Sequence, residues 1–342
     1  MRTIVLTGGG TAGHVLPNIA LLPYLKNYFD KIVYIGGNGI EKTIAEQNCL
    51  QYCEITTVKL RRTLTLKNLQ IPFKLIKGIR EAKKHLKKLK PSVVFSKGGF
   101  VALPVVFAAY SLGIKIVAHE SDMSLGLANR LSAKKCATIC TTFPLNYKKY
   151  PQMVHSGAII RKCIYQGDAN KISLRKNGKP NLLVMGGSLG AVAINEMIWK
   201  SLNQLCEKWN VLHITGKNKN NPQYQSVDYL QVEYLDTPQD AFAWADVVLA
   251  RSGSGTVSEL LALKKPALYV PLPKSESRGD QIQNAEFLQK LGVCQILEQE
   301  QLNTNILLEK LDYLFRYRSQ YIANCSKQNW IDGTAKIIDY LK

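Results

Sequence analysis

The sequence lacks the cysteine spacing of a metal-binding ribbon. None of its eight cysteines forms a CxxC pair, and the pairs Cys49/Cys53 and Cys136/Cys140 are each spaced by four residues. This spacing fits neither a zinc ribbon nor a small disulfide framework. A chain of 342 residues also buries enough apolar surface to fold without such staples. We expect the cysteines to be small, reduced core residues of a cytosolic protein.

Long apolar runs are also missing. The most apolar stretch, Val101 to Ile114, contains Pro104 and Ser111 and stops at Lys115. A membrane-spanning helix needs about 20 apolar residues, so this stretch is too short. The first ten residues enter a strand and a glycine turn at once, and we therefore expect no signal peptide. The protein is expected to be soluble or to touch a membrane only with its surface.

Acidic residues are scarce in the first half of the chain. The net charge is +20, with 23 Lys and Arg against 7 Asp and Glu in residues 1–150, and 22 against 18 in the rest. The densest basic segment, Lys59 to Lys90, contains a single acid, Glu81. A solvated helix face, a nucleic-acid footprint and a membrane-docking surface all remain open for it. Interspersed apolar residues favour an anionic membrane surface, and the absence of a nucleic-acid motif predicts no nucleic-acid partner.

Strand-like runs alternate with helical patterns along the whole chain, which is typical of parallel α/β architecture. The predicted strands of the first half are Thr3–Thr7, Ile32–Ile35, Tyr52–Thr56, Val93–Phe95, Ile116–Ala118 and Ala137–Cys140. Those of the second half are Asn181–Met185, Val211–Thr215, Leu230–Val232, Val247–Ala250, Ala267–Val270 and Cys294–Leu297. Helices are predicted to start near His14, Gly39, Leu66, Phe100, Ala191, Pro238, Gly255 and Gln281, with a mainly helical end from Leu302.

Both halves open with strand, glycine turn and helix, so we predict two Rossmann-like, doubly wound parallel-sheet domains facing a cleft. The predicted boundaries are 1–157 and 158–342, with the last helix able to pack back on the first domain. The segment Ser156 to Pro180, rich in Gly, Asn, Lys and Arg, is predicted to connect the two domains.

Two glycine loops carry the first functional signal. They are Gly8–His14 and Gly186–Ala191, and each follows a predicted strand and precedes a predicted helix. Glycine lets backbone N–H groups approach a ligand, and the helix N-terminus behind each loop favours phosphate. Two such loops suit a diphosphate ligand or two phosphorylated substrates.

The first loop also satisfies G-x-G-x-x-G through Gly8, Gly10 and Gly13, so a nicotinamide enzyme is an alternative. That fingerprint expects an acid at the end of the second strand to bind ribose hydroxyls. The second strand here ends Ile35-Gly36-Gly37-Asn38 and has no acid there. The Lys-Ser/Thr of a P-loop is absent as well.

Two further features suggest catalysis and nucleotide binding. His14 follows the first glycine loop, and its ordinary pKa near 6.5 suits removal of a proton from a hydroxyl. The cluster Arg251–Glu259 follows a strand and enters a helix. The carboxylate of Glu259 is able to accept hydrogen bonds from both hydroxyls of a ribose. The N–H groups of the preceding turn would then face phosphate.

Seven motifs in order give a family resemblance. They are GGGTAGHVLP from Gly8, SKGGFVALP from Ser96, HESDMSLGLANR from His119, GAIIR from Gly157, GGSLGA from Gly186, RSGSGTVSE from Arg251 and RGDQIQNA from Arg278. In these motifs the chain resembles the MurG glycosyltransferases. The resemblance implies the two-domain GT-B fold. It also implies transfer of N-acetylglucosamine from UDP-N-acetylglucosamine to the lipid-linked muramoyl-pentapeptide, undecaprenyl-diphospho-muramoylpentapeptide, in cell-wall biogenesis.

The resemblance also implies a donor site, mostly in the second domain. The Leu235 backbone would meet uracil, Glu259 the ribose, and Ser188, Ser254, Gly255 and Thr256 the diphosphate. Arg161 and Gln281 would reach the nucleotide or its sugar, and Thr11, Ala12, Gly13 and Asp122 would complete the site. The lipid diphosphate would meet the first glycine loop, and the enzyme would be peripheral on the cytoplasmic face of the bacterial plasma membrane.

Four positions depart from the commoner family pattern. Ser121-Asp122 stands where many members have Gln-Asn, and Asp280-Gln281 where many have His-Gln. Unlike asparagine, aspartate can only accept a hydrogen bond. Ala12 replaces a usual glycine and narrows the room for a phosphate.

The expected mechanism is an inverting transfer. His14 would take the acceptor hydroxyl's proton, and Glu120 or Asp122 would orient or replace it. Helix N-termini of the second domain and Arg161 would stabilise the leaving diphosphate without a metal, and no Asp-x-Asp motif ends a strand. No cofactor is expected, and assistance by a divalent ion stays open. The alternatives are a GT-B transferase with another lipid acceptor and a UDP-N-acetylglucosamine 2-epimerase.

Overall fold

The computed structural model describes residues 1–57, 71–145, 148, 150–174, 177–187 and 190–342. The chain divides into two compact units. The first comprises Met1–Arg161 together with Asp332–Lys342, and the second comprises Lys162–Ile331. The predicted boundary, after residue 157, lies four residues before this division.

The first unit is built on one seven-stranded sheet. Its strands are β1 (Thr3–Thr7), β2 (Lys31–Gly36), β3 (Gln51–Glu54), β4 (Val93–Ser96), β5 (Lys115–Glu120), β6 (Thr138–Thr141) and β7 (Met153–His155). All neighbours are parallel, in the order β3-β2-β1-β4-β5-β6-β7. The helices are α1 (Leu16–Ala20), α2 (Leu22–Leu25), α3 (Ile40–Gln47), α4 (Ile71–Leu89), α5 (Ala102–Ser111) and α6 (Leu127–Ser132).

Both faces of this sheet are buried, as a parallel sheet requires. Side chains alternate along β1, so Ile4 and Leu6 pack in one core cluster and Val5 in another. Val5 lies opposite Val33 of β2 and Val94 of β4. The resulting apolar layers fix the position of the strand ends.

The second unit repeats the plan with six parallel strands. They are β8 (Asn181–Met185), β9 (Asn210–Ile214), β10 (Tyr229–Val232), β11 (Val247–Ala250), β12 (Ala267–Tyr269) and β13 (Cys294–Ile296), in the order β10-β9-β8-β11-β12-β13. The helices are α7 (Val192–Lys200), α8 (Leu202–Lys208), α9 (Pro238–Trp244), α10 (Ser254–Ala262), α11 (Asp280–Lys290), α12 (Thr304–Arg316) and α13 (Arg318–Ser326).

The predicted doubly wound α/β class is confirmed for both units, and every predicted strand overlaps an observed one. The prediction missed β7, α6 and α8. Most of the predicted connection belongs to the second unit, where short 3-10 helices at Lys162–Gln166 and Ala169–Lys171 pack against α9. The Asp168 N–H donates to the Asp240 carboxylate at 2.8 Å and anchors this segment.

The last helix, α14 (Thr334–Leu341), returns to the first unit. Its apolar face, with Ile337 and Leu341 fully buried, joins the cluster around Ile4 and Leu6. The Gly333 N–H donates to the Ala158 carbonyl at 2.8 Å and fixes the helix entry. The final helix of the chain therefore covers part of one face of the first unit's sheet.

Six of the eight cysteines are buried and all eight are free, but Cys49 and Cys163 are exposed. The prediction that every cysteine lies in the core is wrong for these two, because Cys49 lies in the turn after α3 and Cys163 in a surface 3-10 helix. Within the ranges given above, no helix combines the length and the apolar character needed to cross a membrane.

Removing the packing of α14 should destabilise the protein. We expect Ile337→Ala to lower the free energy of unfolding by about 2–4 kcal/mol, because it leaves a cavity beside β1. The matched control is Ile322→Ala on α13, whose side chain is 40% exposed. It should cost less than about 1 kcal/mol. Denaturant titration measures both, and equal losses would contradict the assigned packing.

Candidate functional site

The strand order of each sheet reverses at one point, and the glycine loops lie there. In the first unit β1 separates β2 from β4, so the chain winds outward in both directions from the β1/β4 pair. In the second unit the same reversal occurs at β8/β11. Ligands of such sheets bind beyond the carboxyl ends of the strands at this reversal. Gly8–His14 follows β1 and Gly186–Ala191 follows β8, so both predicted loops are at ligand-binding positions.

Buried polar side chains form hydrogen bonds with the backbone at the start of the first glycine loop. The Tyr34 hydroxyl donates to the Gly8 carbonyl at 2.8 Å, and the Asn18 amide donates to the Thr7 carbonyl at 3.2 Å. Gly10 has φ +84°, in the left-handed region that favours glycine. The loop then enters a 3-10 helix, Ala12–His14. These bonds hold the backbone that carries His14.

His14 is half-buried, and its Nδ1 lies 2.9 Å from the Thr11 hydroxyl oxygen. Two other histidines differ from it. Burial, with a smaller contribution from the Lys97 charge, lowers the pKa of His119 well below its ordinary value. Burial also lowers the pKa of His213 to about 3. Both are enclosed neutral rings near neutral pH, whereas His14 lies at the accessible edge of the loop.

A buried carboxylate occupies the inner side of the first glycine loop. Glu41, in the first turn of α3, is 2% exposed, and it accepts a hydrogen bond from the Gly10 N–H at 3.2 Å. A Cβ atom added to Gly9 or Gly39 would meet this carboxylate at 2.7 and 2.9 Å. The glycines therefore make room for the Glu41 side chain as well as for a ligand.

The turn after β5 is organised by Glu120. Its carboxylate is buried and accepts hydrogen bonds from four donors: the N–H groups of Ser121, Asp122 and Gly126 at 2.9, 3.2 and 2.8 Å, and the Asn129 amide at 2.9 Å. Asp122 is half-buried in the same turn. Glu120 thus fixes the backbone that presents Asp122.

The second unit has a cavity of about 610 Å³ beyond the reversal of its sheet. Its lining residues are Gly186, Gly187, Gly190, Ala191, Val192, Ala193, Glu196, Lys219, Arg251, Leu272, Glu276, Gln281 and Gln299. Gly190 has φ +69°, and a Cβ atom there would overlap the Thr215 carbonyl oxygen. Only glycine lets the second loop pass this close to the end of β9.

Arg251 places a buried positive charge in the wall of this cavity. Its guanidinium donates to the carbonyls of Val270 and Pro271 at 3.0 Å each and to the Gln299 side-chain oxygen at 2.5 Å. Burial lowers the pKa of Arg251, and the nearby Glu276 carboxylate partly opposes this shift. The cation is rigidly held and faces the space where an anionic ligand would bind.

The remaining predicted donor residues lie at defined places in the second unit. Ser254, Gly255 and Thr256 form the first turn of α10, and Glu259 lies in its second turn. Leu235 is half-buried between β10 and α9.

Gln281, at the start of α11, lines the cavity, and its side-chain oxygen accepts from the Leu272 N–H at 3.1 Å. Arg161, the last residue of the first segment of the first unit, is half-buried. Ser188 lies outside the described residues.

Sequence reasoning did not assign four residues that the structure places at the two reversals: Glu41, Lys97, Arg251 and Gln299. A signal existed for Lys97 and Arg251, since each directly follows a buried strand at a sheet's centre. Glu41 and Gln299 have no such signal in the sequence, because their side chains reach the site from α3 and from the 3-10 helix Gln299–Gln301. Within the described ranges, no group of three or more His, Cys, Asp or Glu side chains is placed to hold a metal ion.

Comparisons with known proteins agree with this architecture. Residues 4–141 match the glycosyltransferase family 28 N-terminal domain, and residues 181–340 match the family's C-terminal domain. The crystal structure of Acinetobacter baumannii MurG has a TM-score of 0.80 at 24% identity, covering 99% of this chain and 98% of that one. A UDP-GlcNAc 2-epimerase from Neisseria meningitidis has a TM-score of 0.67 at 12% identity over the full chain. The fold alone therefore does not separate transferase from epimerase.

The sequence relatives distinguish a transferase from an epimerase. A Clostridium tetani protein is 44% identical over 349 aligned residues, covering 100% of this chain and 98% of the relative. A Clostridium botulinum protein is also 44% identical, with 100% and 99% coverage. Both are named UDP-N-acetylglucosamine–N-acetylmuramyl-(pentapeptide) pyrophosphoryl-undecaprenol N-acetylglucosamine transferase.

Two doubly wound units, each with a glycine loop at its sheet reversal and each matching a family 28 domain, define a glycosyltransferase of the GT-B class. At 44% identity over its whole length, the chain belongs to the MurG family within that class.

Gly190 offers a test of the second loop. We expect Gly190→Ala to lower the free energy of unfolding by about 2 kcal/mol or more, because φ +69° is unfavourable for alanine and the added Cβ overlaps a carbonyl oxygen. The control is Gly255→Ala on α10, where a Cβ meets nothing within 4 Å. It should stay within about 1 kcal/mol of the parent. Equal stability of both variants would contradict the close approach to β9.

Proposed function

We propose that the protein transfers N-acetylglucosamine from UDP-N-acetylglucosamine to the pyrophosphoryl-undecaprenol-linked N-acetylmuramyl-pentapeptide, converting it into the disaccharide lipid of peptidoglycan synthesis. The observation that carries this proposal is the full-length, 44% identity to relatives of that name. The site geometry supports it, because two loops suited to phosphate lie at the two sheet reversals.

The uridine nucleotide is assigned to the second unit. Glu259 would accept the ribose hydroxyls, the Leu235 backbone would meet uracil, and the first turn of α10 would direct its N–H groups to the diphosphate. Gln281 and Arg161 would contact the nucleotide or its sugar, and Ser188 would join the diphosphate contacts. The 610 Å³ cavity lies within the range of small-molecule sites.

Charge stabilisation of the leaving diphosphate is assigned to protein groups. Arg251 contributes a buried cation whose position is fixed by three acceptors. The N-terminus of the nine-residue helix α10 adds a partial positive charge. Preorganised charges of this kind act where the negative charge develops. We therefore propose that the transfer requires no metal cofactor.

His14 is assigned as the general base. Its Nδ1 is 2.9 Å from the Thr11 hydroxyl oxygen, so the ring is positioned by the loop that carries it. The acceptor hydroxyl oxygen then attacks the anomeric carbon as the bond to the UDP oxygen breaks on the opposite face. The product has a β linkage, the proton resides on His14, and UDP leaves as the anion.

We assign Glu120 a positioning role in the turn after β5. Its carboxylate accepts hydrogen bonds from three N–H groups of the turn and from the Asn129 amide, so both oxygens are used to hold the turn in place. It presents Asp122, which would contact the donor sugar as an acceptor. Thr11, Ala12 and Gly13 would meet the lipid diphosphate, since the Glu41 carboxylate already accepts from the Gly10 N–H.

The transfer test uses labelled UDP-N-acetylglucosamine and a short-chain muramoyl-pentapeptide lipid analogue. The parent protein should move label to the lipid and release UDP. His14→Ala should lower kcat by about 10²–10⁴-fold, the usual contribution of a general base, with the dissociation constant for UDP unchanged. Calorimetry with UDP supplies that control.

Two results would contradict the proposal. Release of free sugar or an epimerised nucleotide without lipid labelling would refute the transferase function. Parent-level turnover by folded His14→Ala would place the base elsewhere.

We further propose that α4 docks the enzyme on the cytoplasmic face of the plasma membrane as a peripheral protein. Its inner face, Gly78, Ala82 and Leu86, is buried, whereas Phe73 is 76% and Ile76 48% exposed. Seven basic residues share the helix: Lys74, Lys77, Arg80, Lys83, Lys84, Lys87 and Lys88. An exposed apolar edge with flanking lysines is the pattern of an interfacial helix. Lys59, Arg61, Arg62 and Lys67 lie outside the described residues.

Vesicle binding tests this surface. Replacing the exposed Lys74, Lys77, Lys84 and Lys87 by glutamine should weaken binding to anionic vesicles about 10²–10³-fold, at about 1 kcal/mol for each lysine. The matched control removes four exposed lysines of the second unit, Lys200, Lys208, Lys290 and Lys327. The control should bind like the parent. Equal retention of both variants would assign α4 to an ordinary solvated face.

A further inference from the structure

Lys97 is a buried lysine that the mechanism above does not use. It follows β4 at the reversal of the first sheet and is 2% exposed. Its backbone N–H donates to the Thr7 carbonyl at 2.9 Å, which ties it to the end of β1. A buried ammonium is costly unless it is paired, so its partners indicate its role.

The ammonium of Lys97 reaches the turn after β5. It donates a hydrogen bond to the Ser121 hydroxyl. Burial lowers the pKa of Lys97, and the nearby carboxylates of Glu120 and Asp122 oppose this shift. The polar end of the side chain is therefore committed to the turn that presents Asp122.

The other end of Lys97 lies against the first glycine loop. A Cβ atom added to Gly8 would come within 3.0 Å of the Lys97 Cβ and within 2.5 Å of the His14 carbonyl oxygen. Lys97 and the His14 backbone thus enclose Gly8 on two sides. One side chain spans the two segments that carry the proposed base and the proposed sugar contact.

We propose that Lys97 is a positioning residue for the glycosyl transfer, whose buried ammonium fixes the Ser121–Asp122 turn relative to the glycine loop carrying His14. This inference rests on the proposed function. Lys97 itself touches no reacting atom. It acts through Ser121 and Asp122.

Charge balance gives the inference a specific consequence. The Lys97 ammonium lies near the carboxylates of Glu120 and Asp122, so removing it leaves these charges less compensated, whereas removing one carboxylate charge as well restores part of the balance. A neutral residue at position 97 should therefore lower kcat/KM while Asp122 is charged. The decrease in kcat/KM should be smaller when residue 122 is neutral as well.

The experiment compares Lys97→Met, Asp122→Asn and the double variant in the lipid-transfer assay. We expect Lys97→Met to lower kcat/KM for UDP-N-acetylglucosamine about 10-fold or more, with the dissociation constant for UDP unchanged within about twofold. The kcat/KM of the double variant should be about threefold or more above the value obtained by multiplying the two single losses. The reason is that the effects of substitutions at neighbouring charged residues are not additive.

The matched control is Lys265→Met. Lys265 is another partly buried lysine, whose ammonium donates to the Ala245 carbonyl at 2.7 Å in the second unit. This variant should lose stability without losing kcat/KM. If Lys97→Met does not fold, Ser121→Ala replaces it, because this change removes the ammonium's acceptor and keeps both charges. It should lower kcat/KM about threefold or more.

Three outcomes would overturn the inference: parent-like kcat/KM in folded Lys97→Met or in Ser121→Ala, strictly additive losses in the double variant, or an equal kinetic loss in Lys265→Met. An inactive parent protein would refute the proposed function itself, which keeps the two failures distinguishable.

Discussion

The reversal of strand order in each sheet is the constraint on which the rest of the structure depends. A parallel sheet buried on both faces leaves only its strand ends accessible, and helices separate most of those ends. At β1/β4 and at β8/β11 the crossover helices diverge, so the chain is free to place loops there. Both glycine loops, the Ser96–Gly99 segment and the start of α10 follow these four strands. Most of the proposed site residues therefore lie at the strand ends beside the two reversals.

Buried charged side chains hold turns in place beside both reversals. In the first unit, the buried carboxylates of Glu41 and Glu120 accept backbone N–H groups and hold two turns in place. In the second unit, a buried guanidinium does the comparable work through carbonyl acceptors. A carboxylate that accepts a backbone N–H group, as Glu41 does, leaves fewer N–H donors for a phosphate. A buried guanidinium such as Arg251 instead attracts a phosphate electrostatically.

The sequence predicted the fold well because parallel strands are short, apolar and flanked by glycine turns. Thr3–Thr7, Asn181–Met185 and Val247–Ala250 were predicted to the residue. The edge strand β7 was missed because its three residues are only half-buried and show no apolar run. The glycine loops were predictable since their spacing is local. Glu41, Lys97 and Gln299 were not assigned because their roles depend on contacts between segments distant in sequence. The hydrogen bonds that Glu120 accepts from three N–H groups and one amide were likewise not predictable, because they form only once the turn after β5 is folded.

The return of α14 to the first unit has a consequence for how the chain matures. Between Arg161 and Asp332 the ribosome must make 170 residues, which takes about 10 to 30 seconds at usual bacterial rates. During that interval the part of the apolar cluster around Ile4 and Leu6 that Ile337, Ile338 and Leu341 contact is not covered by α14. A nascent chain in this state exposes a patch suited to chaperones and to aggregation. The part of the molecule that emerges first is thus the last to reach its finished form.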